Sequence, residues 1–173
     1  SVLKQLNYLV GEAPFRAGVQ QFLADHAYAN ATWQDLLGAV GRAANRSLDN
    51  FGRQFMLRPG MPEVEQGLDV RGGAIARLTL RQHPVQPLSG PGAWPMRIEV
   101  LLAYDDRPNV VLPVELAGPR TVVVAARGLP APRFVFANAA DYGYMLTRLD
   151  VASLDALELG ALGRVRDPFL RAM

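Results

Sequence analysis

The sequence predicts an α+β fold: an N-terminal α-helical subdomain, an antiparallel β-sandwich and short C-terminal helices. Three observations point to it. Apolar residues recur every three or four positions up to about residue 57, then alternate with polar ones from residue 74 onward. Between the two regimes stands Arg58-Pro59-Gly60-Met61-Pro62, too rich in Pro and Gly to remain helical. A helical pattern returns after residue 150.

The helical part can be taken in order. Val2, Leu3, Leu6, Leu9 and Val10 make an apolar stripe, and Gly11 can end that helix with a left-handed cap. Pro14 suits the first turn of the next helix, where its missing N–H costs nothing. Phe15, Val19, Phe22 and Leu23 form that helix's inner face, with Arg16, Gln20 and Asp25 outside it. Thr32 is a good N-cap, and Asp35 three residues on completes a capping-box-like pair. Leu36, Leu37 and Val40 carry the third helix inward, and Ser47 caps a short fourth bearing Leu48, Phe51 and Phe55.

The strands follow. Ala74, Ala76, Leu78 and Leu80 alternate with Ile75, Arg77, Thr79 and Arg81; a second alternating run spans residues 96–104. Shorter runs cover residues 110–116, 121–126, 133–137 and 144–149, each bounded by turn residues. Short strands at this spacing without intervening helices predict an antiparallel sandwich. Pro113 makes its strand an edge or a bulged one. Glu63 and Glu65, flanking Val64, read as solvated linker residues. Toward the end, Asp150 or Ser153 can cap a helix carrying Leu154, Leu157, Leu159 and Leu162. Asp167-Pro168 starts another through Phe169 and Leu170, and its pattern stops abruptly at Met173, as expected of a truncated chain.

Composition narrows the function. The net charge is only +2, from 18 Lys and Arg against 16 Asp and Glu, and the arginines are scattered singly. Without a basic stripe interleaved with aromatics, nucleic-acid binding is not expected. The longest apolar runs fall far short of the roughly 20 residues that a membrane span needs. The absence of cysteine removes disulfides and thiolate chemistry and suits a cytoplasmic protein.

No residue type converges into a recognisable catalytic pattern. A catalytic zinc needs three protein ligands, two of them commonly on one helix face. The two histidines, His26 and His83, have no Glu or second His at that spacing, so His26 reads as the plug of a helix end and His83 as a surface residue. Ser1, Ser47, Ser89 and Ser153 lie in no G-x-S-x-G elbow, and Ser47 and Ser153 read as caps. Glu12 suits a helix start, where the dipole favours a carboxylate. Gly72-Gly73 is not a phosphate cradle, and residues 87–92 read as a flexible loop. Tyr8, Trp33, Phe51 and Phe55 fall at core spacing. The expectation is therefore no catalytic, cofactor-binding or metal-binding residue within the chain.

A resemblance supplies what the residue types do not. Val2, Leu3, Leu6, Gly11, Glu12, Phe15, Gly18, His26, Tyr28, Asn30, Ala31, Asp35 and Leu36 follow, in order and spacing, the segment just after the active site in zinc aminopeptidases. These are the metallopeptidases (gluzincins) of the aminopeptidase N family. Phe55 with Gly60 and Pro62 is similar to that family's W-x-x-x-x-G-x-P, an aromatic plug without the indole N–H. Asn138, Gly143-Tyr144 and Asp150 resemble its N-x-x-x-x-G-Y-Y-R-V-x-Y-D, with Met145, Leu146 and Leu149 departing from it. Asp167-Pro168 matches a later D-P.

The resemblance implies residues 1–62 as the helical end of a catalytic domain, 63–149 as a β-sandwich domain, and 150–173 as the first helices of a truncated C-terminal domain. It implies a parent that releases N-terminal amino acids from peptides with zinc. The H-E-x-x-H motif is nowhere in these residues. The family's transition-state tyrosine would lie a few residues before Ser1. The expected fragment is inactive alone, supports the active site, and contacts the missing catalytic and C-terminal domains. Two alternatives stand beside it: a catalytically silent relative serving as an assembly scaffold, and a β-sandwich module binding peptide or sugar.

Overall fold

The structure, a computed structural model, describes residues 1–85 and 90–158. The helical part contains α1 (Val2–Val10), α2 (Glu12–Asp25), α3 (Trp33–Ala43) and the single turn α4 (Asp49–Gly52). Ser1 caps α1 by accepting from the Lys4 N–H. Gly11 ends α1 and starts α2 at once with φ 93°, ψ 154°: a positive φ, as the cap requires, but extended instead of left-handed helical. Thr32 and Asp35 form the reciprocal capping box at α3. Ser47, expected as the cap of α4, stands two positions before that helix, whose N-cap is Leu48; its hydroxyl still accepts from the Asp49 N–H. α4 runs on as a π-helical turn, Arg53–Leu57.

Leu6, Leu9, Leu37, Val40, Leu48 and Phe51 form the helical core. Gly18 of α2 is what brings α2 onto α3: a Cβ there would lie 2.5 Å from the Val40 Cα. Two residues expected inside face solvent, Leu3 at 53% exposure and Leu23 at 62%.

Seven strands follow among the described residues. A mixed sheet has the order β5-β2-β1-β7, from β1 (Pro62–Arg71), β2 (Ala74–Pro84), β5 (Arg120–Val122) and β7 (Leu146–Arg148). A second sheet has the order β4-β3-β6, from β3 (Met96–Ala103), β4 (Val110–Leu116) and β6 (Phe134–Ala137). Val64, Leu78 and Leu80 of the first sheet share one core with Ile98, Val100, Leu102 and Val135 of the second. The α+β class holds, with one refinement: β7 pairs with β1 in parallel, while the other strand pairs are antiparallel. β4 is an edge strand, as Pro113 requires.

The stretch read as a linker is instead the ten-residue strand β1, next to β2 and β7. Gly72 and Gly73, with φ 57° and 74°, make the two-residue turn to β2, a geometry that needs positive φ at both positions. The run at 121–126 divides into β5 and a 3₁₀ turn at Val124–Ala126, and the run at 144–149 is strand only at β7. α5 (Val151–Glu158) closes the described chain, capped by Asp150, whose carboxylate accepts from the Ser153 N–H at 3.0 Å. Leu159, Leu162 and the Asp167-Pro168 helix expected beyond it lie outside the described residues, as do Pro87, Leu88 and Ser89.

Candidate functional site

A polar junction lies where α1 meets β3 and the loop at 138–144. Lys4 and Tyr8, four positions apart, are neighbours on one face of α1, and Gln5 lies about 100° round the helix from Lys4. Gln5 is fully buried; its Nε2 donates to Pro95 O at 3.4 Å and its Oε1 accepts from the Tyr144 N–H at 2.6 Å. Lys4 Nζ donates to Ala140 O at 3.0 Å and stands 3.6 Å from Asp141.

Tyr8 lies flat on Tyr142, ring centroids 3.8 Å apart and planes within 5°. Its hydroxyl donates to Glu99 of β3 at 3.0 Å, and the Arg97 guanidinium lies 5.1 Å from its ring. Burial, then the Glu99 hydrogen bond and charge, push the phenol up to about 12. Tyr8 is therefore a neutral donor at ordinary pH. The loop itself is shaped by Asn138, 2% exposed and at φ 82°, whose side-chain amide bonds both the N–H and the C=O of Gly143. This cluster pairs no nucleophile with a base. What it does is fix α1 against β3, Pro95 just before that strand, and the 138–144 loop.

The sequence-singled residues fall elsewhere. His26 ends α2, its Nδ1 3.0 Å from Phe22 O and its Nε2 3.6 Å from Asp35. His83 lies on β2 with Nε2 3.1 Å from Glu65 on β1. Glu12 sits in the first turn of α2, 3.5 Å from Arg16. Ser153, expected as a cap, is fully buried and accepts from the Val135 N–H instead. Among the described residues no three His, Asp or Glu side chains converge, so this part of the chain does not fit a zinc ion.

The buried glutamines were not legible. Gln66 Nε2 donates to Val135 O at 2.8 Å and to Asp150 at 2.7 Å, while its Oε1 accepts from the Ala137 N–H. Gln82 makes the same two-ended pairing with the backbone of Trp94. Only their place on the inward side of an alternating strand could have hinted at burial.

Comparison with known proteins settles the relationship. Residues 1–55 match the Peptidase family M1 domain. The whole chain is 31% identical to aminopeptidase N of Streptomyces lividans, covering 100% of this chain and 21% of that protein. The chain belongs to peptidase family M1. A second relative in sequence is the tricorn protease-interacting factor F2 of Thermoplasma acidophilum, 30% identical over 58% of this chain and 12% of that protein. The M1 chain thus spans about a fifth or less of the length of these relatives. In structure it is similar to Legionella pneumophila aminopeptidase A, solved in complex with aspartic acid. The TM-score is 0.63 at 15% identity, covering 90% of this chain and 18% of that one, a likeness of fold.

Proposed function

We propose that this chain is the downstream buttress of a zinc aminopeptidase, holding the active site in place and joining it to the following domains. The observation that supports this is the clamp on α1: Lys4, Gln5 and Tyr8 tie one helix to β3 and to the 138–144 loop. By family resemblance the oxyanion-stabilising tyrosine lies a few residues before Ser1. A helix rigidly packed behind such a group fixes its position, and small misplacements of a catalytic group are costly.

In this reading, residues 1–62 close the catalytic domain, 63–149 form a β-sandwich domain, and 150–173 begin a C-terminal helical domain. The metal and its ligands belong to residues outside this chain, so no step of the reaction is assigned to side chains described here. The whole protein acts on the N-terminal residue of peptides. Its place is the cytoplasm, which suits a chain without cysteine. Among the described residues no helix is long and apolar enough to cross a membrane.

The test uses the full-length enzyme. Leu6→Pro, which breaks α1, and Gln5→Leu, which frees Tyr144, should each lower kcat at unchanged zinc content. Turnover equal to the parent's in both variants would refute the buttress role. The 173-residue chain itself should leave a chromogenic aminoacyl substrate intact, and turnover or stoichiometric zinc would refute its assignment as non-catalytic.

A further inference from the structure

A groove of about 790 Å³ opens between α3 and the start of α4, and no residue of the α1 clamp lines it. Its volume lies within the range of ligand-binding clefts. Trp33 and Leu37 give it an apolar wall; at Gly38 the missing side chain leaves room for the Arg42 guanidinium, and at Gly41 the Arg46 carbonyl packs onto the helix. Gly52 keeps the indole in place from the other side, since a Cβ there would come 2.7 Å from the Trp33 ring.

The rim is unbalanced in charge. Arg42, Arg46 and Arg53 line it against one acid, Asp49, whose carboxylate takes the Ser47 hydroxyl. Arg46 is paired with Glu115 of β4. Arg42 instead folds back along its own helix, so that a Cβ on Gly38 would lie 3.4 Å from its Nη1. Among the described residues neither Arg42 nor Arg53 has an ion-pair partner. A cationic group lying within an apolar-walled cleft attracts and orients an anionic partner.

We propose that this groove docks an acidic peptide segment of a partner protein, with an apolar side chain against Trp33 and Leu37 and flanking carboxylates on Arg42 and Arg53. This goes beyond the buttress role and does not depend on it. Guanidinium–carboxylate pairs supply orientation, while the indole face supplies the apolar contact.

The probe is a fluorescein-labelled peptide, Glu-Glu-Leu-Glu-Glu-Leu-Glu, with a Gln-for-Glu copy as control, read by anisotropy and by Trp33 emission. The chain and the full-length protein should bind the acidic peptide, more weakly as salt rises, and about tenfold or more tighter than the control. Arg42→Glu with Arg53→Glu, both exposed and so tolerated by the fold, should abolish binding. Gly38→Leu fills the groove without changing charge and should do the same. Equal affinity for the Gln copy, binding undiminished in the charge-reversed variant, or no binding at millimolar peptide would overturn the proposal. So would binding to the chain but not to the full-length protein, which would mean that the groove is covered from within the same polypeptide.

Discussion

Asn138 and Gly143 close a ring on each other: the Asn138 Nδ2 donates to Gly143 O at 3.0 Å, and its Oδ1 accepts from the Gly143 N–H at 2.7 Å. The ring gives a physical reason for the spacing of the two residues. A Cβ on Gly143 would lie 2.9 Å from Ile98 and 3.1 Å from that same Oδ1, so the glycine lets the loop reach β3. Asn138 sits at φ 82°, a conformation that Asn tolerates better than most residues.

Asn138→Asp tests the ring. It replaces the donor with an acceptor aimed at Gly143 O and leaves a buried carbonyl unpaired, a loss of about 1–3 kcal/mol. Urea denaturation should show the midpoint falling with the slope unchanged. A midpoint equal to the parent's would mean that the loop is held by other contacts.

Gln66 is a stronger case, because its one amide serves two backbone groups of β6 and the Asp150 that caps α5. Gln66→Leu keeps the volume but strips three partners at once. The expected cost is about 2–4 kcal/mol, with early amide exchange at Ala137, since that N–H loses its acceptor. Exchange at Ala137 as slow as in the parent would contradict the assignment.

Two helical glycines should respond in opposite directions to the same change. Gly18→Ala drives a methyl into the Val40 backbone and should destabilise by about 1–3 kcal/mol despite the better helix propensity of Ala. Gly38→Ala meets only the flexible end of Arg42 and should gain up to about 1 kcal/mol. Matched thermal melts of the two variants decide it.

The Tyr8 phenol makes stability sensitive to alkali. Its folded value of about 12 exceeds the ordinary 10.0, so the folded chain keeps a proton that the unfolded chain releases. The contribution is complete below pH 10 and is lost as pH rises through about 12. The groups facing the phenol are Glu99, Arg97 and Tyr142. Tyr8→Phe should flatten this part of the stability–pH curve between pH 9 and 12; an unchanged slope would rule Tyr8 out as its source.

Local pattern predicted much of this fold. The starts of α2 and α3, the Thr32–Asp35 box and the edge position of β4 rest on single-residue physics, Pro and Gly backbone limits and side-chain capping, which needs no tertiary context. β1 escaped because its inward positions are Val64, Gln66 and Leu68, and a glutamine breaks an apolar alternation. Gln66 is polar for the same reason that it is buried: it completes hydrogen bonds on a strand 69 residues away in sequence. Leu23 looked like core because spacing shows which face it lies on, not whether anything covers that face. The α1 clamp joins residues 136 and 139 positions apart, beyond any local pattern.

Phe55, at the π-helical turn, packs against the helical core and against the core shared by the two sheets, with its ring 4.7 Å from Phe51. One side chain thus serves as a common wall. Heating should therefore not peel the helices from the strands in separate steps; calorimetry is expected to record a single absorption peak, and Phe55→Ala should split or broaden it.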